Sequence, residues 1–212
     1  MTGKREESRA RTTAQILSAA RHEIAERGGQ GLSMRAVARE VGLVSSAVYR
    51  YFPTREALLT AMIVESYHHL ADALATVDEG APAERWGALV REWRAWAKHR
   101  PHEFQLVYGT PIPGYVAPPE TIPAAAAVAA PFFRCGATER VVEFEGVHVG
   151  DALTSAYPDL TPSGIAAVLA ELATVAGTIG LELSGHFVGT TGSPDALVEA
   201  VIARQVHTLG LA

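Results

Sequence analysis

Between Ser33 and Leu59 the chain carries two short apolar patterns separated by one glycine, and few backbone arrangements satisfy both. Ser33 is suited to cap a helix, because its hydroxyl can accept a backbone N–H of the first turn. Val37 and Val41 recur one turn apart, the spacing of a buried helical face. Gly42 follows at the C-terminal end, where the backbone turns to positive φ and a side chain is penalised. Ala38 is small where a second helix must cross closely, and Val48 returns to the same core. This spacing demands two helices crossing at roughly 90–120° over a tight turn. Such a helix-turn-helix lays its second helix, here about Ser45 to Tyr51, in the major groove of DNA.

A net charge of −5 is at odds with a polyanionic partner until it is divided along the chain. Residues 1–60 hold ten Lys and Arg against six Asp and Glu, a net of +4, whereas residues 61–212 hold eight against seventeen, a net of −9. A basic head and an acidic body follow, and the head is the part that DNA would meet. The acidic body argues against a protein that coats DNA without sequence preference. The single cysteine, Cys135, permits no intrachain disulfide and fits a reducing cytosol. The N-terminus is polar, without the apolar run of a signal peptide. The longest uncharged apolar run, Ile122 to Phe133, is too short to span a membrane and is broken by Pro123 and Pro131. A soluble, cytoplasmic protein without a membrane partner is expected.

Beyond Gly42, the run Tyr49-Arg50-Tyr51-Phe52, a turn at Pro53-Thr54 and Arg55-Glu56 followed by Leu58 resemble the N-terminal domain of the tetracycline-repressor (TetR) family. The resemblance extends from about Thr12 to Leu59 and takes in a first helix, Thr13 to Arg27, with the Gly28-Gly29 break after it. It implies that Ser33, Tyr49, Tyr51 and Arg55 fall at positions that usually meet phosphates. Arg35 falls at one that can reach a base, where an arginine favours guanine. By side-chain chemistry, Ser45 and Ser46 can donate or accept, and Ala47 offers a methyl-sized surface to a thymine methyl group. Val44 departs from the family pattern, in which Ser or Thr often starts the recognition helix. A cap or phosphate contact is then lost, unless Ser45 caps one residue later.

The expected architecture is all-α in three parts. Residues 1–10 are charged and lack apolar periodicity, so a disordered basic arm is expected, with Lys4, Arg5, Arg9 and Arg11 placed to meet phosphates or a minor groove. A helix-turn-helix DNA-binding domain occupies 11–59, and a helical effector-binding and dimerisation domain occupies 60–212. A helix after the Pro53-Thr54 turn runs to about Val77 and links head to body. Further helices span about Ala83 to His99, Pro101 to Tyr108, 124–134 and, on the weakest pattern, 138–156. Five prolines make 110–123 a loop.

From Ser163 to Phe187 one helix carries two stripes. Ile165, Val168, Leu172, Val175, Ile179 and Leu183 are large; Ala166, Ala170, Ala173, Gly177, Gly180 and Ser184 are small. A continuous small stripe lets another helix approach closely. A last helix opened by Pro194 carries Leu197, Val201 and Ile202. A homodimer through these two helices is expected, with Ala170, Ala173, Gly177, Gly180, Ser184, Leu197, Val201 and Ile202 at the interface; TetR-like proteins dimerise in this way. Trp93 to Phe104 and Gly177 to Phe187 resemble an effector domain named for a Trp-His-Gly signature, although Leu172 and Ala176 stand where Trp and His belong.

Candidate effector-pocket residues are Trp93, Trp96, His99, Phe104, Tyr108, Tyr115 and Phe133, an aromatic set suited to a flat, mostly uncharged molecule. No cofactor or metal is expected: among His68, His69 and Asp72 there is one properly spaced His–Asp pair. The chain has no Gly-x-Ser-x-Gly elbow, no His-Glu-x-x-His, no phosphate-binding glycine loop and no cysteine pair, so an enzyme with an incidental helix-turn-helix is disfavoured. The expected function is a ligand-responsive transcriptional regulator. A repressor released from a palindromic operator by a small molecule leads, and an activator of the same architecture is the alternative.

Overall fold

The computed structural model describes residues 2–136, 141 and 144–212. Their order is α1 (Thr2–Arg27), a 3-10 turn (Gly29–Gly31), α2 (Met34–Glu40), α3 (Ser45–Tyr49), α4 (Arg55–Leu74), α5 (Pro82–His99) and α6 (Pro101–Tyr108). A second 3-10 turn (Pro119–Thr121) then precedes α7 (Ile122–Cys135), α8 (Asp151–Ala156), α9 (Pro162–Leu183) and α10 (Pro194–Thr208). No strand occurs among the described residues. The fold is all-α, as the periodicities require. They group into two compact units, residues 1–67 with 100–124, and residues 68–99 with 125–212. This division falls inside α4, and α6 with the proline-rich segment groups with the head.

The head is built on one small core. Ile16, Ala20 and Ile24 of α1 meet Val37 and Ala38 of α2, Val48 of α3, Phe52, and Leu58, Leu59 and Met62 of α4. Leu106, Ile112 and Tyr115 pack against this core from the α6 side. Gly29 eases that approach: a Cβ there would lie 2.7 Å from Ile112 Cδ1, and the isoleucine tip would have to shift. Arg21 of α1 pairs with Glu65 of α4, and the Thr60 hydroxyl lies 2.9 Å from the Tyr115 hydroxyl.

The first turns of α1 correct an expectation. Residues 2–10 are helical, where a disordered arm was expected. After Gly3 the segment holds Lys, Arg, Glu and Ala, which extend a helix readily without offering an apolar face.

The body is centred on α5, α7, α9 and α10. Trp86 and Trp93 of α5 meet Phe132 of α7 at ring separations of 5.2 and 5.7 Å. α9 contributes Ile165, Val168, Val175 and Ile179, and α10 contributes Val198 and Ile202, with Leu209 just beyond it. Thr161 and Ser193 cap α9 and α10 with their hydroxyls, each followed by proline at the first helical position. Trp86 donates its indole N–H to Gln205 at 3.0 Å, and Gln205 in turn donates to the Glu171 carbonyl at 3.1 Å. Arg94 grips Glu182 with two bonds of 2.7 and 2.6 Å, and Lys98 reaches the same carboxylate at 3.0 Å.

α9 ends at Leu183, four residues short of the expected Phe187. It is apolar and long enough to cross a bilayer, yet half of its most apolar window is packed inside this unit, as in the core helix of a globular domain. Of the helix expected over 138–156, Asp151–Ala156 are helical among the described residues. Residues 144–146 form a turn and 147–150 are irregular, while 137–140 and 142–143 lie outside the described residues.

Candidate nucleic-acid interface

Two backbone devices place α3. Ser33 sits at the N-cap of α2 with extended backbone, and its hydroxyl accepts the Ala36 N–H at 3.3 Å. At the other end Gly42 adopts φ +68°, so the Leu43 N–H reaches the Ala38 carbonyl at 2.9 Å and the Gly42 N–H reaches that of Arg39 at 3.2 Å. This paired closure stops α2 and sends the chain into α3 at a fixed angle. Val48 is fully buried in the core. By helical spacing, Ser46, Tyr49 and Arg50 then fall on the opposite, exposed side.

Each expected contact residue can now be located. Arg35, Ser46 and Tyr49 are exposed, and Ser33, Ser45, Ala47 and Tyr51 are half-buried. The Arg9 guanidinium of α1 stands 5.1 Å over the Tyr51 ring, which brings the basic start of α1 beside α3. Arg39 and Arg50 are exposed as well, so the surface around α2 and α3 is cationic. Nearby, His22 of α1 lies 3.1 Å from the Glu40 carboxylate of α2. The hydrogen bond and charge of Glu40, then the charge of Glu26, raise the imidazole pKa above its ordinary 6.5.

Arg55, expected to meet a phosphate, is engaged within the protein. Its guanidinium donates to the carbonyls of Leu32 at 3.1 Å, Gly29 at 2.7 Å and Gln30 at 3.1 Å. It ties the loop before α2 to the start of α4. Carbonyls that a 3-10 turn leaves open need such a donor, and local spacing gives no sign of it.

Val44, not Ser45, is the N-cap of α3, and it makes no side-chain cap bond. Its side chain is 71% exposed. The expected loss of a cap is therefore present, and with it an apolar group at the mouth of the reading surface.

The seven expected effector residues are divided between the units. Phe104, Tyr108 and Tyr115 lie in the head unit, and Trp93, Trp96, His99 and Phe133 in the body. Phe104 is buried and packs 5.3 Å from the Tyr108 ring, whose hydroxyl pKa is pushed upward by burial and by Tyr67. Trp93, Trp96 and Phe133 are buried, and Phe133 stacks on Tyr157 at 4.3 Å. His99 is exposed, with Nδ1 2.8 Å from the carbonyl of Ala95 on its own helix. A hollow of about 410 Å³ in the head lies between the end of α1 and α6, beside Arg27, Gln30, His102 and Ile112. None of the seven residues lines it.

On the presumed dimer face, Ala173, Gly177 and Ser184 are exposed and Ala170 and Gly180 half-buried, whereas Leu197 and Val201 are half-buried on α10. Ile202 corrects the expectation. It is 6% exposed and packs on α5, where a Cβ at Gly87 would come within 3.2 Å of its Cγ2. The glycine in α5 admits α10 closely and consumes Ile202 in the core.

Comparison with known proteins agrees with this geometry. Residues 16–62 match the family of bacterial regulatory proteins called tetR, and residues 86–205 match a tetracyclin repressor-like C-terminal domain. The HTH-type transcriptional regulators Rv1816 of Mycobacterium tuberculosis and Mb1846 of Mycobacterium bovis are each 42% identical over 122 residues, covering 56% of this chain and 52% of the relative. The chain thus spans about half the length of the curated relatives it matches. Among solved structures, a protein described as regulatory, SCO4313, superposes with a TM-score of 0.76 at 29% identity, covering 95% of this chain and 98% of its own. A protein of unknown function from Rhodococcus sp. RHA1 superposes with a TM-score of 0.69 at 25% identity, covering 93% and 94%. The chain belongs to the TetR family of bacterial transcriptional regulators.

Proposed function

We propose that the protein is a cytoplasmic repressor. It acts as a homodimer whose two heads bind a palindromic operator and whose release is governed by a small molecule held in the helical body. The observation that carries the DNA-binding part is the two-sidedness of α3: Val48 is locked in the core while Ser46, Tyr49 and Arg50 stay exposed on the far side. In this reading Ser45, Ser46 and Ala47 meet base edges, Arg35 reaches a guanine, and Ser33, Tyr49 and Tyr51 meet phosphates. Arg55 acts as a positioning residue through the loop before α2. The heads must reach successive major grooves, roughly 34–36 Å apart.

The open side of α9 supports pairing with a second copy. Gly177 has no neighbouring atom within 4 Å of where its Cβ would lie, and Leu169 and Leu181 are 40% and 48% exposed in the single chain. Ala170, Ala173, Gly180, Ser184, Leu197 and Val201 complete that face. The aromatic residues Trp93, Trp96 and Phe133 of the body, buried in the single chain, favour an apolar or aromatic effector should that core open to admit one. Such a ligand acts by binding one dimer geometry better than the other.

Selection of random duplexes by the full-length protein at physiological salt tests this reading. The expected product is a short inverted repeat bound by a dimer and released on adding the effector. Enrichment of no sequence, or of a single unrepeated half-site, would overturn it.

A further inference from the structure

We propose that Val44 is a specificity-determining residue that packs against the C5-methyl group of a thymine in each operator half-site. The inference rests on the docking of α3 proposed above. Among the described residues of 1–67, two large hydrophobic side chains remain exposed, Val44 at 71% and Tyr49 at 46%, and both belong to the recognition helix or its cap. A lone exposed valine is unremarkable on most surfaces. Here it takes the cap position, where an oxygen-bearing side chain would satisfy the helix end, and it forms no such bond.

The major groove offers one methyl group, that of thymine; guanine and adenine present donors and acceptors there, and cytosine an amino donor beside a bare C5–H. A valine pressed against a guanine, adenine or cytosine edge would strip water from polar atoms and return nothing. Against thymine it buries its methyl groups on another methyl. Ala47, which the sequence alone favoured for this contact, is half-buried and smaller. Val44 stands free, held in extended backbone (φ −74°, ψ 147°) just ahead of the helix.

The experiment uses the operator recovered by selection, with each thymine replaced singly by deoxyuridine, which lacks that methyl alone. Wild-type protein should lose affinity at one position per half-site, by about fourfold, the worth of one buried methyl-sized group of ~0.8 kcal/mol. Val44→Ser should bind thymine and uracil equally at that position, and Val44→Ile should keep the discrimination. Indifference of the wild type to every uracil substitution would overturn the proposal, as would a Val44→Ser variant that still senses the methyl. A Val44→Ser variant that tightens on all sequences alike, with the methyl preference intact, would mark Val44 as a missing cap and nothing more. Failure of the docking itself would show earlier, as the absence of any selected operator. Because Val44 is exposed, the variants are expected to fold, and their melting curves serve as the control.

Discussion

The turns that lead into α2 and α4 in the head and the helix contacts of the body are braced by different chemistry. In those turns of the head, polar side chains bond to main-chain atoms: Ser33 to Ala36, the Thr54 hydroxyl to the Ala57 N–H at 3.0 Å, and Arg55 to three carbonyls. Between α5, α9 and α10 of the body the ties are chiefly between side chains, with the Gln205 bond to the Glu171 carbonyl beside them. Trp86 meets Gln205 at a separation of 119 residues, Arg94 meets Glu182 at 88, and Arg204 holds Glu171 through two bonds at 33. Every residue supplies a carbonyl, so a bond to backbone survives replacement of the residue that accepts it. A side-chain pair does not, and losing one member leaves the other buried without its partner. The turns into α2 and α4 can therefore keep their shape while the accepting residues vary, whereas the helix contacts of the body are tied to particular pairs.

The largest test of this contrast is Trp86→Ala. It removes a side chain with no exposed surface and strips Gln205 of its donor. Urea unfolding should show a loss of about 4 kcal/mol; a loss below about 1 kcal/mol would break the account of the body.

Arg94→Met comes next. Glu182, with a side chain 10% exposed, would keep Lys98 as its cation. Because Lys98 remains and the site is partly solvated, the loss should be about 2 kcal/mol, less than for a fully orphaned charge. Arg94, then Lys98, hold the Glu182 carboxyl below its ordinary 4.5. That stabilisation is fully present above pH 4.5 and disappears as pH falls through the lowered value. Stability should therefore fall less steeply with acid in the variant.

Arg55→Met sharpens the view of the head. Loss of a charged donor to three carbonyls should cost about 2 kcal/mol in unfolding experiments. The salt dependence of DNA binding should keep its slope. A drop of about 0.9 per guanidinium removed would place Arg55 on a phosphate instead.

The smallest effect concerns His22. Its pKa, followed by NMR, should lie above 6.5 and fall towards that value in Glu40→Gln. The α1–α2 link it makes is complete below pH 6.5 and fades as pH rises through the raised value. An unchanged titration in the variant would remove Glu40 as the cause.

What could be read from the sequence divides along the same line. Ser33, Gly42 and Val48 are legible because capping, positive φ and a one-turn apolar spacing are local demands. Pro101 and Pro194 mark the starts of α6 and α10 for the same reason. The role of Arg55 is hidden, since its acceptors lie 23 to 26 residues upstream and are backbone atoms that any sequence provides. Ile202 reads as a dimer-interface residue until Gly87, far away in the chain, is seen to admit it into the core. The aromatic set reads as one pocket because helical periodicity says which residues turn inward but not which helices they turn towards. Phe104 and Trp93 consequently part into separate units. The start of α1 misleads in the opposite sense, because a charged helix has no apolar stripe by which to be recognised.

The outward residues of the recognition helix carry a consequence for evolution. Val44, Ser46, Tyr49 and Arg50 are exposed, while Val48 and the closure at Gly42 set the position of the helix from within. Substitutions at those four sites are nearly free of folding cost. Lineages can thus acquire new operators by drift at a few codons without first evolving a new scaffold. Overall identity, even at 42%, is then a poor guide to whether two such regulators share target genes. The identity that matters for inheritance of an operator is counted over a handful of positions around α3.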